Sequence, residues 1–141
     1  MTSPTRPPEQ RLHILILDDE PIVCKRLKPA FQRMGHEVET FTDSASALDR
    51  LKETTFDVVI TDLKMEGADG MLVLAKAKAA SPDTHVIVIT GFATMETAKE
   101  SYRQGAFDFV AKPFKLCDLL ECVKRIAESR RAAISPQSSS Q

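Results

Sequence analysis

Five short runs of apolar residues recur along the chain, and polar or turn-forming residues bound each of them. Runs of this length between turn signals are typical of strands that are buried on both faces of a sheet. Between the runs, apolar residues return every three or four positions, which indicates amphipathic helices. The predicted strands lie within residues 12–17, 38–41, 57–61, 86–89 and 107–110, and a predicted helix follows each of them.

Regular alternation of strands and helices predicts an α/β fold, in which a parallel sheet carries helices on both faces and the crossovers are right-handed. Several residues suit the helix ends: Thr42 or Asp43 before the second helix, Gly70 at the start of the third, and Thr94 before the fourth. Pro29 falls inside the first helix, where a missing backbone donor predicts a kink or a shortened helix.

Composition fits one domain with a substantial core, since the 141 residues are 43% hydrophobic and 28% charged. The proline-rich residues 1–10 and the serine-rich residues 132–141 are predicted to be disordered, which leaves 11–131 as the folded domain. The net charge of −1 gives no strong attraction to nucleic acid. No apolar run approaches the ~20 residues that cross a membrane, and no leader-like segment is visible, so we expect a cytoplasmic protein without direct membrane or nucleic-acid contacts.

Polar side chains follow four of the predicted strands at the point where each strand ends. Asp18 and Asp19 follow the first strand, Asp62 the third, Thr90 the fourth and Lys112 the fifth. The carboxyl ends of parallel strands meet at one edge of the sheet, where ligands bind in open α/β folds. Singly, each residue has an ordinary explanation, such as a helix cap for an aspartate or a solvated strand end for the lysine. Together they predict one site.

The residue types in this cluster suit phosphoryl chemistry. Three adjacent carboxylates repel one another, and a divalent cation with oxygen ligands, such as Mg²⁺, removes that penalty. A carboxylate is also able to attack phosphorus and form an acyl phosphate. Lys112 would neutralise phosphoryl oxygens, and the Thr90 hydroxyl would donate a hydrogen bond to one of them.

With Asp18-Asp19, Asp62, Thr90 and Lys112-Pro113 in these positions, the chain resembles the receiver domain of two-component response regulators over about residues 11–130. The resemblance implies a flavodoxin-like, doubly wound, five-stranded parallel sheet of strand order 2-1-3-4-5. It also implies a cis peptide bond between Lys112 and Pro113.

The same resemblance assigns roles to individual residues. Asp62 is expected to be the phosphoacceptor, with Asp18, Asp19, Asp62 and the backbone carbonyl of Lys64 as the Mg²⁺ ligands. Thr90 and Lys112 are expected to assist the transfer. Thr90 is also expected to act as a conformational switch, together with an aromatic side chain three residues before the lysine, which is Phe109 in this sequence.

These roles imply a phospho-accepting signalling domain rather than an enzyme. Its expected partner is a sensor histidine kinase or a phosphotransfer protein, and phosphorylation is expected to reshape the surface of the fourth helix, fifth strand and fifth helix. Formation of a homodimer through that surface remains open. Phe92, two positions after Thr90, is predicted to shield the phosphoryl group from water.

Two other functions remain as alternatives. One is a binding module of the same fold that no longer uses phosphate. The other is a phosphotransferase of the haloacid dehalogenase type, which also uses an aspartate nucleophile. That family has a second aspartate two positions after the first, and Lys64 occupies this position here.

Overall fold

The computed structural model describes residues 11–65 and 68–134, and there a five-stranded sheet alternates with five helices. Its strands are β1 (His13–Leu17), β2 (Glu37–Phe41), β3 (Val58–Asp62), β4 (His85–Thr90) and β5 (Asp108–Ala111). The helices are α1 (Pro21–Arg33), α2 (Ser44–Glu53), α3 (Gly70–Ala80), α4 (Met95–Arg103) and α5 (Leu116–Ile134). A small antiparallel hairpin pairs Lys64–Met65 with Ala68–Asp69 between β3 and α3.

All four strand pairs of the sheet are parallel, and the order is β2-β1-β3-β4-β5. This confirms the predicted doubly wound sheet of order 2-1-3-4-5. The register aligns the strand ends, because Leu17 pairs with Thr61 and Asp62 pairs with Ile89. The residues that end β1, β3, β4 and β5 therefore lie along one edge of the sheet.

Alternate residues of each central strand point to opposite faces of the sheet and build two hydrophobic clusters. Ile14 and Ile16 belong to the cluster beneath α1 and α5, and Leu15 and Leu17 belong to the cluster beneath α2 and α3. All four side chains are completely buried. In α4, by contrast, the only buried residue is Ser101. This helix is therefore held by far less apolar contact than its neighbours.

Helix α1 corrects one prediction. It runs without interruption from Pro21 to Arg33, although Pro29 lies inside it, so of the two predicted effects, a kink or a shortened helix, the shortening is wrong. Pro29 is exposed, and so is Lys25, whose carbonyl loses its partner N–H at that position. Water can therefore satisfy this carbonyl, which lowers the cost of the proline.

Two predicted boundaries also shift. Strand β3 starts one residue later than predicted and includes Asp62 as its last residue. Helix α5 extends to Ile134, so the residues just after the predicted boundary at 131 are helical rather than part of the tail. The predicted disordered segments, residues 1–10 and the remainder of the tail, lie outside the described residues. Across the described part of the chain, no helix is both long and apolar enough to cross a membrane.

Candidate functional site

Three carboxylates converge at the carboxyl edge of the sheet. Oxygen atoms of Asp18, Asp19 and Asp62 lie within 4.8 Å of one another. Asp18 and Asp19 follow β1 directly, and Asp62 ends the neighbouring strand β3. Asp18 and Asp62 are buried, whereas Asp19 is exposed. The group therefore forms a pocket with two carboxylates at its floor and one at its rim.

Asp18 has the surroundings of a cation ligand. One of its oxygens, Oδ1, accepts a hydrogen bond from the backbone N–H of Glu20 at 2.9 Å. The other, Oδ2, is buried and lies 2.8 Å from the Lys112 ammonium. Burial raises the pKa of Asp18, and the nearby Lys112 only partly opposes this effect. A buried carboxylate next to two further carboxylates fits a hard divalent cation such as Mg²⁺.

Lys112 reaches this cluster from the loop that follows the edge strand β5. Its ammonium donates hydrogen bonds to Asp62 Oδ2 at 2.8 Å and to Glu20 Oε1 at 2.9 Å. Its Nζ atom also lies 2.8 Å from Asp18 Oδ2, which is an ion-pair contact. Burial disfavours the charged form of Lys112, but the three carboxylates outweigh it and raise the pKa of this residue above its ordinary value. The ammonium therefore remains charged at neutral pH.

The loop after β5 continues from Lys112 into Pro113 through a cis peptide bond. This agrees with the bond expected from the sequence. The backbone N–H of Lys112 also donates a hydrogen bond to the carbonyl of Thr90 at 2.8 Å. The lysine is thus tied to the end of the adjacent strand β4.

Thr90 lies on β4, which neighbours β3, and Phe109 lies on the edge strand β5. Thr90 is the last residue of β4 and is buried, and its hydroxyl accepts a hydrogen bond from the backbone N–H of Phe92 at 2.9 Å. Phe109 pairs with Val88 in the sheet and is partly buried against the hydrophobic cluster beneath α2 and α3. Phe92 itself is 58% exposed.

A close backbone approach shapes the loop after Asp62. Gly70 N–H donates a hydrogen bond to Leu63 O at 2.9 Å, and a Cβ atom at Gly70 would overlap the Asp62 carbonyl oxygen and Leu63 Cα. Only glycine allows the hairpin to return this closely to the end of β3. The backbone of Lys64 lies in this hairpin, paired with Asp69.

Glu20 is a member of the cluster that the sequence analysis did not identify. By position it is the N-cap residue of α1, but its side chain makes no capping hydrogen bond. It contacts Lys112 instead, 92 residues away in the chain. The run Asp18-Asp19-Glu20 signals an acidic loop, but no sequence pattern names the distant lysine as its partner.

Asp108 at the start of β5 is a second residue that the sequence analysis missed. Its Oδ1 accepts a hydrogen bond from Tyr102 of α4 at 3.1 Å, and its Oδ2 lies 2.8 Å from Arg125 of α5. Cys122 Sγ lies 3.1 Å from the same oxygen, and burial together with Asp108 raises the pKa of this thiol to about 12. One carboxylate therefore joins α4, β5 and α5.

The three cysteines of the chain are free thiols. Cys117 is exposed near the start of α5, whereas Cys24 and Cys122 are buried.

Comparison with known proteins agrees with this architecture. The sequence model of the response regulator receiver domain matches residues 14–124. The regulatory protein AtoC of Escherichia coli is 39% identical over 112 residues, covering 79% of this chain and 24% of that protein. The chain spans only about a quarter of the length of the curated relatives that it matches, with 27% for the first of them.

Solved structures give the same result. A CheY-like receiver domain from Methanospirillum hungatei is 28% identical with a TM-score of 0.81, covering 86% of this chain and 97% of that one. The beryllofluoride-activated receiver domain dimer of NtrC4 is 31% identical with a TM-score of 0.78, covering 84% of this chain and 98% of that one. Because the family match covers most of the chain and the fold agrees, this chain belongs to the response regulator receiver domain family of two-component systems.

Proposed function

We propose that the chain is a phosphorylation switch in which Asp62 accepts a phosphoryl group from a phosphohistidine. The donor would be a sensor histidine kinase or a phosphotransfer protein. The main support is the contact of one ammonium, Lys112 Nζ, with both buried carboxylates of the pocket, at 2.8 Å from each. This arrangement holds a potential nucleophile next to a fixed positive charge at the open edge of the sheet.

The reaction needs little from the protein except position and charge. A carboxylate oxygen of Asp62 attacks phosphorus, and the bond between phosphorus and the donor imidazole nitrogen breaks. The leaving imidazole keeps the electron pair and takes up a proton, and Asp62 becomes an acyl phosphate. Lys112 is close enough to pair with an oxygen of the transferred group, because it already contacts the carboxylate that receives it.

The carboxylates of Asp18, Asp19 and Asp62, with the backbone carbonyl of Lys64, would hold Mg²⁺. When bound, this ion supplies positive charge that offsets the charges of the carboxylates and of the phosphoryl oxygens. The support for it in this chain is the cluster of carboxylate oxygens within 4.8 Å and the burial of Asp18 and Asp62.

Phosphorylation would act on the rest of the domain through Thr90. Its hydroxyl holds the backbone of Phe92 in the loop that leads into α4. A new dianion on Asp62 would compete for this hydroxyl and draw the loop inward, and Phe109 would turn into the space that opens. Helix α4 buries only Ser101, so it is the helix of the domain that is easiest to displace.

The output surface would then be the face formed by α4, β5 and α5. Asp108 joins these three elements through Tyr102 and Arg125, so a shift of α4 changes contacts on all of them. This face would present the signal to a partner or to a second copy of the chain in the cytoplasm. Light scattering with and without beryllofluoride tests dimer formation: a rise in mass with the analogue supports it, and an unchanged monomer contradicts it.

Beryllofluoride with Mg²⁺ imitates an aspartyl phosphate and gives a direct test of the switch. The wild type should show changed NMR signals around Asp62, Thr90 and α4. Asp62→Asn should show none, and Asp57→Asn should respond as the wild type does, because Asp57 lies at the opposite end of β3. A wild type that binds no Mg²⁺ and does not respond would favour a phosphate-independent binding module.

A further inference from the structure

Glu20 has no role in the function proposed so far, yet it contacts a residue at the centre of the site. It is the N-cap residue of α1 by position, but its side chain makes no capping hydrogen bond. The carboxylate turns away from its own helix and accepts a hydrogen bond from Lys112 at 2.9 Å. Among the described residues, this side chain makes no other hydrogen bond or ion pair. A role in capping α1 therefore does not explain its conformation.

The surroundings of Lys112 show what this contact changes. The ammonium has three N–H bonds and three carboxylate neighbours, Glu20, Asp18 and Asp62, at 2.8–2.9 Å. No side of the ammonium is left for an oxygen of an incoming phosphoryl group. One of the three carboxylates must therefore give way before Lys112 is able to pair with that group.

Of the three, only Glu20 is free to leave. The Asp18 side chain is fully buried, and its Oδ1 is fixed by the backbone N–H of Glu20. The Asp62 side chain is 6% exposed and is the proposed acceptor itself. The side chain of Glu20 is 60% exposed, so it can rotate into water without burying a charge.

We infer that Glu20 is a resting-state counter-ion of Lys112, which competes with the phosphoryl group for the ammonium and so weakens the binding of phosphoryl-like anions at Asp62. Glu20 acts through Lys112 and is therefore a positioning residue. This inference rests on the proposed phosphorylation of Asp62 and adds a residue that tunes it.

The test is the affinity for beryllofluoride, in the presence of Mg²⁺, measured by NMR titration on three variants. Glu20→Gln removes the competing charge. Glu20→Asp keeps the charge but shortens the reach to Lys112. Glu128→Gln is the control, because it removes the same charge from an exposed position in the C-terminal half of α5. Thermal unfolding of each variant without ligand checks that the fold is unchanged.

Glu20→Gln should bind beryllofluoride about two- to fivefold more tightly than the wild type, which is the range that a partly exposed ion pair provides. Glu20→Asp should also bind more tightly, and Glu128→Gln should match the wild type. The rate of phosphorylation by acetyl phosphate should also rise in both Glu20 variants and stay unchanged in Glu128→Gln. An affinity of Glu20→Gln equal to or below that of the wild type overturns the inference.

The same substitution in a protein that lacks Lys112 shows whether Glu20 acts through this lysine or only through the net charge of the site. In Lys112→Gln, the additional change Glu20→Gln should leave the affinity unchanged, because the competing partner is gone. The same gain with or without Lys112 would contradict the inference. If the wild type itself fails to respond to beryllofluoride, or Asp62→Asn responds equally, the proposed function fails instead, and these outcomes are distinct from those of Glu20.

Discussion

Asp62 and Lys112 are 50 residues apart in the chain, and their side chains form a hydrogen-bonded ion pair of 2.8 Å between Oδ2 and Nζ. The pair joins the ends of β3 and the loop after β5, although β4 lies between these two strands. Before any reaction, the proposed acceptor is thus oriented by the same ammonium that would later bind the transferred group.

Replacement of Lys112 by glutamine should therefore weaken the binding of beryllofluoride with Mg²⁺ by about tenfold or more. A charge-assisted hydrogen bond in a largely buried site contributes about 1.5–3 kcal/mol, which corresponds to this range. NMR titration measures the affinity. Lys115→Gln, at an exposed lysine three residues further on, should change it little. Equal affinities of Lys112→Gln and the wild type would contradict this role of the lysine.

Asp18→Asn should abolish the effect of Mg²⁺ on stability without destabilising the metal-free fold. Burial raises the pKa of Asp18 although Lys112 opposes it, so its charged form is unfavourable in the pocket when no metal ion is bound. In EDTA, we expect the variant to be as stable as the wild type or more stable, by up to about 2 kcal/mol. Mg²⁺ should raise the melting temperature of the wild type and leave that of Asp18→Asn unchanged. An equal Mg²⁺-induced rise in both proteins would rule out Asp18 as a ligand.

Phe92→Asn tests whether this aromatic ring protects the phosphoryl group. Phe92 is 58% exposed at the start of the loop before α4, and its N–H is bound by the Thr90 hydroxyl. Substitution should cost little stability, since the side chain is largely exposed. Loss of an apolar cover should admit water and speed the loss of the phosphoryl group several-fold, as measured by phosphate release after acetyl phosphate is removed. An unchanged lifetime would remove the shielding role, and Met95→Asn serves as the control at a neighbouring exposed position.

His85 predicts a pH dependence of stability at the opposite end of the sheet. Burial lowers the pKa of His85, and Arg130 and Lys78 lower it further, while Asp57 opposes them weakly. The folded protein therefore binds this proton less readily than the unfolded chain, whose histidines titrate near 6.5. Stability should fall as the pH drops below about 6.5, with a slope of at most about 1.4 kcal/mol per pH unit from this residue.

The measurement is urea unfolding of the wild type and His85→Gln from pH 8 to pH 5. Glutamine cannot titrate, so the free energy of unfolding should depend less on pH in the variant, and the two curves should converge at low pH. Parallel curves over the whole range would exclude His85 as the source.

Local patterns in the sequence were enough to predict the sheet and the placement of its functional edge. Apolar runs ended by Asp18, Asp62, Thr90 and Lys112 predict where each strand stops, and parallel alignment brings those ends together. Asp62 lies inside β3 rather than after it, because it pairs with Ile89 of β4 and the next N–H, that of Leu63, donates a hydrogen bond to the Ile89 carbonyl at 3.1 Å.

Contacts that depend on distant segments were not predictable in this way. The partner of Glu20 lies 92 residues away, and Arg130 of α5 pairs with Asp57 Oδ1 at 3.0 Å across 73 residues. The choice between a kink and a shortened helix at Pro29 was not predictable for a related reason, because the cost of the proline depends on whether the unpaired carbonyl faces water. That orientation follows from packing of α1 against the sheet and not from the residues around the proline.

Mass spectrometry of the chain after incubation with acetyl phosphate and Mg²⁺ tests the central claim most directly. One phosphoryl group should appear on the intact wild-type protein, and borohydride trapping followed by peptide mapping should locate it at Asp62. Asp62→Asn should remain unmodified under the same conditions. A wild type that takes up no phosphoryl group, or one modified equally well after Asp62→Asn, would contradict the account.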